Sequence, residues 1–422
     1  MSYDVVVIGG GAAGCATAYN LGLNNKKVLL IEKNIFLGGL MTGGLVTPFM
    51  KTSKNQINTD FLTKFKTELK KLNGIITYSD GNDGWFNPEL AKIVFDKLMK
   101  EAGVEVLFDT VVSGVTVIDK KIESISISSK MLSECIKSRY YIDTTGNCDF
   151  SKICNCEFLN KKDELQPVNL RFIMSNVDVE KFGEWLQDFD KDRNVTTVCN
   201  IDGVTHLSTA YTWDTDKEWA LRPLFDNAVA KGILKNEDRN YFQLFTIPNM
   251  PNSIAFNAPR IYSKNVIDPL NVSDFSKAVM HGRESIYRLA EFCKSYLIGF
   301  DKAYISNIAD MLGVRVSRRL KGKYIYTYDD LKAGKKFENP VVISNYPVDV
   351  HSTKNNTSVL EKVDVEYQLP VEALFSTNID NLCVAGRCLS ADFYAQGALR
   401  IIPSCMSMGE GLAKYLLEHY PY

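Results

Sequence analysis

Asp4-Val5-Val6-Val7-Ile8-Gly9-Gly10-Gly11-Ala12-Ala13-Gly14 is the stretch on which the fold turns. Tyr3 to Ile8 is a short β-branched run without polar alternation, the pattern of a strand buried on both faces in a parallel sheet. Three glycines follow, then the Ala-rich stretch Ala12 to Leu23, which reads as a helix. A polar turn leads to a second apolar run, Val28 to Ile31, closed by Glu32. Together these make one βαβ unit. Val5 to Asn25 is uncharged and long enough to mimic a membrane helix. Gly9, Gly10, Gly11, Gly14 and Gly22, with Asn20, Asn24 and Asn25, break it into strand, turn and helix instead. Gly9, Gly11 and Gly14 stand as GxGxxG. The first glycine allows a tight turn, the second lets the backbone approach a pyrophosphate, and the third lets helix and strand pack closely. The helix start then offers free N–H groups and a positive dipole end to the anion. Glu32, 18 residues beyond Gly14, is placed to bond an adenosine ribose hydroxyl. A glycine turn alone would be a weak indication, but the preceding strand, the following helix and the acid together favour dinucleotide binding.

The chain has 422 residues, enough for two to three domains at about 150 residues each. Lys+Arg number 49 and Asp+Glu 50, a net charge of -1. That balance argues against a nucleic-acid partner, which needs a basic patch, and against polybasic attachment to a membrane. Ten cysteines at irregular spacing make no disulfide framework, and no secretory segment is read, so a cytoplasmic location is expected. The four histidines, His206, His281, His351 and His419, form no close pair, so no metal site is expected.

Further along, Asn87-Pro88-Glu89 opens a helix that runs to Ala102, with Gly103 as its stop. It feeds a strand, Val104 to Phe108. Val111 to Ile118 and Ile122 to Ser128 alternate around Asp119-Lys120-Lys121 and form a hairpin. Arg139 to Thr144 is another strand, ending in Thr145-Gly146-Asn147. From about residue 160 to 350 aromatic and polar residues mix, and one long helix stands out, Ser273 to Leu297. Asn381 to Ala385 is again a short apolar strand, and residues 403–417 make the last helix. The expected architecture is α/β. A Rossmann-type domain with a parallel sheet and β-meander, residues 1–160 and 351–422, carries an inserted α+β substrate domain, residues 161–350.

Three features favour FAD over NAD. Gly38-Gly39 and Gly43-Gly44 follow Glu32, where backbone can lie along a long cofactor. Thr144 to Asn147, with Asp149, closes another strand. Ala385-Gly386-Arg387 and Gly397 to Ile402 precede the final helix, whose positive end would stabilise the negative charge of a reduced flavin. Taken singly, each of these features is better read as loop glycines. No second GxGxxG follows a strand in mid-chain, so a separate Rossmann unit for NAD(P)H is not supported.

The stretches DVVVIGGGAAG, IEKNIFLGGLMTGGLV, FNPELAKIVFDKLMKEAGVEVLF, YIDTTGNCDFS, LGVRVSRRLKGKYIYTYDDL and NLCVAGRCLSADFYAQGALRIIPSCMSMGEG span nearly the whole chain. Through them the chain resembles the FAD-dependent oxidoreductase family that shares the two-domain fold of the glutathione-reductase and fumarate-reductase flavoproteins. The resemblance implies FAD contacts at Gly9, Gly11, Gly14, Glu32, Gly39, Thr145, Gly146, Gly386, Arg387, Gly397 and Arg400. Ala12, Ala13, Lys33, Gly38, Leu40, Met41, Val112 and Ile401 are counted in the same cofactor set. It also implies a flavin held between the two domains. One departure stands out: relatives often carry a His-Glu pair where this chain has Phe393-Tyr394.

For the chemistry, Arg315, Arg318 and Arg319 are the leading substrate-side candidates, set against a solvated face or structural ion pairs. Read as a strand, GVRVSRRL projects Arg315 and Arg319 from one face while Arg318 points elsewhere. Two guanidinium groups on one face suit a carboxylate or phosphate. A second β-rich run, Tyr324 to Tyr328, completes the expected hairpin. Arg260 is a weaker candidate of the same kind. Tyr394 is read as a proton donor beside the flavin, set against a ring that merely packs. Cys383 lies inside a buried strand, so its spacing to Cys388 is not read as a redox pair. Cys405, just inside the last helix, is read as a small residue under the flavin ring. The expected activity is hydride transfer between flavin N5 and a small polar or anionic organic substrate, with a further electron donor or acceptor unknown and self-association left open. A flavoprotein that modifies RNA and a non-catalytic FAD-binding redox subunit are the alternatives.

Overall fold

Ser2–Ile8 forms strand β1 and Val28–Ile31 strand β2 in the computed structural model, which describes residues 2–78, 83–130, 132–159, 164–209, 219–239, 241–261, 267–351 and 358–420. Glu105–Leu107 (β3), Val111–Ile118 (β4), Lys121–Ser129 (β5), Leu132–Asp143 (β6) and Leu382–Val384 (β7) complete the sheet. Its parallel part runs β3-β2-β1-β6-β7. β4, β5 and the first half of β6 form the antiparallel meander. β6 thus belongs to both halves. β1 is buried on both faces: Val5 and Val7 enter one core, Val6 and Ile8 the other. At roughly 1.5–3 kcal/mol for each apolar side chain buried, two such faces leave no place for polar alternation. The two residues between β4 and β5, Asp119 and Lys120, have φ of 46° and 62°, the geometry of a tight two-residue hairpin turn.

Ala12–Leu23 (α1) follows β1 directly. Pro88–Glu101 (α2) starts where Asn87 caps it, its side chain accepting from the N–H groups of Glu89 and Leu90 at 2.9 and 3.2 Å. Val272–Tyr296 (α3) matches the long helix expected in the second half, and Phe393–Leu399 (α4) leads into the final helix, Ile402–His419 (α5). α1 and α5 press together at Gly409, where an added Cβ would lie 2.2 Å from the Ala13 carbonyl oxygen. The Thr17 hydroxyl donates to the Gly409 carbonyl at 3.1 Å across the same contact.

A second, six-stranded antiparallel sheet is built from strands between Phe172 and Ile308. α3 covers it, with Ile286, Leu289 and Phe292 buried in the second core. The two units interlock. Leu45, Ile76 and Trp85, from the first part of the chain, belong to the second core, and the Trp85 ring stacks on Phe245 at 3.8 Å. The expected boundary at 160 and 161 lies outside the described residues. The expected return at 351 comes too late: Tyr326, Leu331, Val342, Val348 and Val350 already bury their side chains in the first core.

The expected hairpin after Gly313 is not formed. Val314 to Arg319 has no ladder partners, and the region carries isolated bridges from Gly313 to Asn169, Leu320 to Phe158, Gly322 to Ser376 and Tyr326 to Ala391. Tyr328–Lys332 is a short helix, because Thr327 and Asp330 cap it reciprocally.

Candidate active site

Glu32, Gly9, Thr144 and Ala385 each follow the last residue of a parallel strand, and a cleft of about 440 Å³ opens across those carboxyl ends. Such a crevice is where open α/β sheets bind ligands. Gly9 has φ of 105°, and a Cβ there would meet the Thr144 carbonyl oxygen at 2.6 Å. Gly11 caps α1 without any side-chain hydrogen bond. A Cβ on Gly11 would meet nothing nearer than the Thr144 oxygen at 4.0 Å, so its outer face is open to the cleft. Gly14 sits behind, where a Cβ would fall 2.0 Å from the Gly9 oxygen. The Glu32 carboxylate is held at the rim by Gly10 N–H at 2.7 Å and by Asn34 N–H at 2.8 Å. On the β6 side, buried Asp143 accepts from the backbone N–H groups of Thr145 and Ser151 at 3.0 and 2.7 Å, fixing the loop that carries Thr145 and Gly146 into the cleft.

A second wall comes from Asn169, Arg171 and the segment Gly313 to Arg315, with Arg387, Arg400, Ile402 and Cys405 beside it. Arg171 and Arg315 are buried and bond to carbonyls, of Leu45 at 3.0 Å and of Pro167 at 2.6 Å. Burial lowers Arg171 to about 10. Burial, then the neighbouring Arg260 and Arg400, lowers Arg315 to about 9. Both stay cationic at neutral pH, in surroundings that favour an added negative charge. Arg400 bonds the Asp349 carboxylate at 3.1 Å, and its buried Nε has no partner among the described residues. Burial pushes the Cys405 thiol up to about 12, so it is a neutral, packing thiol at physiological pH.

Of the cofactor residues expected from the sequence, all but Gly14, Gly397 and Ile401 line the cleft. Gly14 serves the close packing of α1 on β1. Gly397 instead abuts Val350 and the Asp349 carbonyl. Ile401 caps α5, and the next residue, Ile402, reaches the cleft in its place. Arg315 lines the cleft as expected, but Arg319 does not. Arg319 is buried elsewhere, bonded to Glu164 and to the Leu159 carbonyl at 2.6 Å, because an irregular chain does not place alternate residues on one face. Arg318 pairs with Asp149 at 3.1 Å. Tyr394 is 49% exposed, beside Tyr328 and Phe393 and away from the cleft. It is the second residue of α4, which Asp392 caps by accepting from Ala395 N–H at 2.8 Å, and that turn carries it outward. Cys383 lies in β7, and Cys388 contacts Cys148, whose N–H donates to its sulfur at 3.1 Å. Arg171, Asn169, Asp349 and His351 were not anticipated.

The family model of FAD dependent oxidoreductases matches residues 4–415, and the chain belongs to that family. It is a flavoenzyme, and FAD is its cofactor. A thiamine thiazole synthase of Methanococcus aeolicus is 27% identical over 176 residues, 39% of this chain and 61% of that protein. A provisional bifunctional amine oxidase of Dictyostelium discoideum is 31% identical over 103 residues, 21% of this chain and 9% of that one. The chain therefore matches less than two thirds of the length of either curated relative. Among solved structures, a geranylgeranyl bacteriochlorophyll reductase-like protein of Thermoplasma acidophilum is similar with a TM-score of 0.47 at 12% identity, covering 99% of this chain and 79% of that one. A myxobacterial chondrochloren halogenase is similar with a TM-score of 0.49 at 11% identity, covering 100% and 76%. Among the described residues no helix is long and apolar enough to cross a membrane.

Proposed function

We propose that this protein transfers a hydride between a carbon atom of a small anionic organic substrate and flavin N5. The observation that carries this reading is the arginine wall, buried Arg171 and Arg315 with partly buried Arg400, on the same cleft as the open glycine turn. Bound FAD supplies the hydride acceptor or donor. The chain's own groups fit it. The uncapped first N–H groups of α1 and the open face of Gly11 would receive the diphosphate. Glu32 would offer its carboxylate to the adenosine ribose. Gly39, Thr145, Gly146, Gly386, Arg387 and Cys405 line the same cleft and would hold the rest of the cofactor. The start of α5, uncapped by any side chain, points a positive dipole end into the cleft. Arg315 and Arg400 then hold the substrate anion, and the burial of Arg315 limits the water that would screen it. A separate electron donor or acceptor closes the cycle.

The test is anaerobic mixing of FAD-loaded protein with a panel of small carboxylic acids and their neutral amides. The expected result is loss of the oxidised flavin absorbance with an acid and not with its amide. Arg315→Leu should slow that bleaching by about tenfold or more, the worth of one charge-assisted contact. Bleaching by neutral compounds alone, unaffected by Arg315→Leu, refutes the anionic assignment.

A further inference from the structure

Behind the arginine wall lies a chain of polar side chains that the hydride transfer itself does not use. The Arg260 guanidinium lies over the Tyr241 ring, 4.0 Å from its centroid, and one of its nitrogens stands 2.7 Å from His351 Nδ1. Guanidinium nitrogens only donate, so His351 Nδ1 accepts and its proton resides on Nε2. His351 Nε2 faces Asp349 Oδ1 at 3.2 Å and donates to it. The other Asp349 oxygen accepts from Arg400 at 3.1 Å, and the Asp349 carbonyl accepts from the same Arg400 nitrogen at 2.8 Å. The result is one directed sequence, Arg260 to His351 to Asp349, with Arg400 donating into Asp349 from the opposite side. Only Arg400 of these four lines the cleft.

The charges around it fix the polarity. Burial, then Arg315, lowers His351 to about 3, so the ring stays neutral. Burial alone would raise Asp349, but Arg400 and the His351 bond outweigh it and hold the carboxyl well below its ordinary range. Asp349 and His351 share one edge strand, Val348–His351, two residues apart and therefore on one face. The arrangement brings Arg260 from the second unit and Arg400 from the α4–α5 junction onto a single two-residue device.

We propose that His351 and Asp349 are positioning residues: the carboxylate fixes the imidazole tautomer that accepts from Arg260 and presents Arg400 to the substrate anion in one geometry. The inference rests on the anion-binding reading above. An isosteric change at Asp349 separates position from charge. Asp349→Asn removes a negative charge next to the arginines, which by Coulomb attraction alone strengthens anion binding. It also breaks the polarity. An amide offers one acceptor and one donor where the carboxylate offered two acceptors, so either Arg400 faces an N–H or His351 must flip its tautomer and confront Arg260 with a donor.

The experiment is calorimetric titration of FAD-loaded protein with sodium malonate, repeated with sodium sulfate, after FAD content and melting temperature have been checked for each variant. Asp349→Asn should weaken malonate binding by about tenfold or more, as expected for loss of one hydrogen bond to a charged group. His351→Leu should weaken it in the same way. His351→Gln can accept from Arg260 and donate to Asp349 without titrating, and should restore affinity to within about threefold of the parent, a fraction of one hydrogen bond's net worth. Tighter binding by Asp349→Asn, or equal losses in His351→Gln and His351→Leu, overturns the positioning role while leaving the anion site standing. Failure of the parent protein to bind either anion overturns both readings. Parent binding that Arg315→Leu abolishes upholds the anion site independently, and the Asp349 and His351 variants then decide the positioning role.

Discussion

Replacing Gly11 and Gly14 separately with alanine should divide cofactor binding from folding, although the two residues are three apart on one turn of chain. At Gly14 the new methyl would start 2.0 Å from the Gly9 carbonyl oxygen, about 1.5 Å short of the roughly 3.5 Å at which nonbonded heavy atoms rest. The obstacle is backbone at the end of β1 and cannot swing aside, so α1 must withdraw from the sheet. Overpacking of this kind costs about 1–3 kcal/mol, and it falls on the FAD-free protein as much as on the loaded one. At Gly11 the methyl meets nothing nearer than 4.0 Å, and φ is -73°, a value any residue adopts. The cost to the empty protein is the small one of alanine at a helix N-cap, under about 1 kcal/mol. On the proposed reading the methyl would occupy the diphosphate's line of approach. Losing even one hydrogen bond to a charged group there costs about 1.5–3 kcal/mol, at least a tenfold rise in the FAD dissociation constant. Thermal melting of flavin-stripped protein reports the first effect and quenching of FAD fluorescence on titration reports the second. Gly11→Ala binding FAD like the parent would show that the diphosphate lies elsewhere. Gly14→Ala melting like the parent would show that the close approach of α1 to β1 carries no load.

Arg319→Lys should lower the melting temperature while leaving FAD and malonate affinity unchanged, since Arg319 braces Glu164 and the Leu159 carbonyl away from the cleft; a selective loss of malonate binding would return Arg319 to the substrate side. Tyr394→Phe should leave the rate and pH profile of anaerobic flavin reduction untouched, because the hydroxyl sits on a half-exposed ring outside the cleft; a shifted profile would contradict that placement. Lys71 and then Lys97 hold the Glu68 carboxyl down to about 2. A folded value below the unfolded one gives stability that is present above about pH 4.3 and lost as pH falls toward 2. Glu68→Gln should therefore flatten the acid limb of the stability curve, and an unchanged limb, followed by circular dichroism, would show that the pairing contributes nothing.

What could be read from the sequence was local or periodic. The βαβ unit is written in the unbroken apolar run of β1 and the glycine spacing. α2 is written in Asn87-Pro88-Glu89, and the meander in two alternating runs. The glycine-rich lining of the cleft followed from these, because its residues lie just beyond strand ends. The substrate side did not. Arg171, Arg315, Arg400 and Arg260 come from four separate segments, and only the interlocking of two cores brings them together. Alternation in Val314 to Leu320 suggested a strand, but the segment's arginines seek carbonyls and acids in different directions: Pro167 for Arg315, Asn147 and Asp149 for Arg318, Leu159 and Glu164 for Arg319. Asp392 ahead of Phe393-Tyr394 was a legible helix cap that would have turned Tyr394 outward. Asp349 and His351, alternating with valines in Val348–His351, carried the mark of two polar residues on one strand face.

The double membership of β6 bears on how the chain is made. Its first half pairs within the meander, from residues close by in sequence, but Tyr141 to Asp143 meet β7 only at Leu382 to Val384. A ribosome releasing residues in order delivers β1 through β6 long before β7 and α5 exist. During that interval the growing polypeptide exposes an unpaired strand edge and the apolar flank of α1 that Gly409 will later cover, surfaces that invite association with other chains. Loop closure over so long a separation is slow. Pairing of β7 with β6 is therefore a late and non-local step of synthesis, and truncation anywhere before Leu382 leaves a nascent product whose sheet edge at Tyr141 to Asp143 stays open.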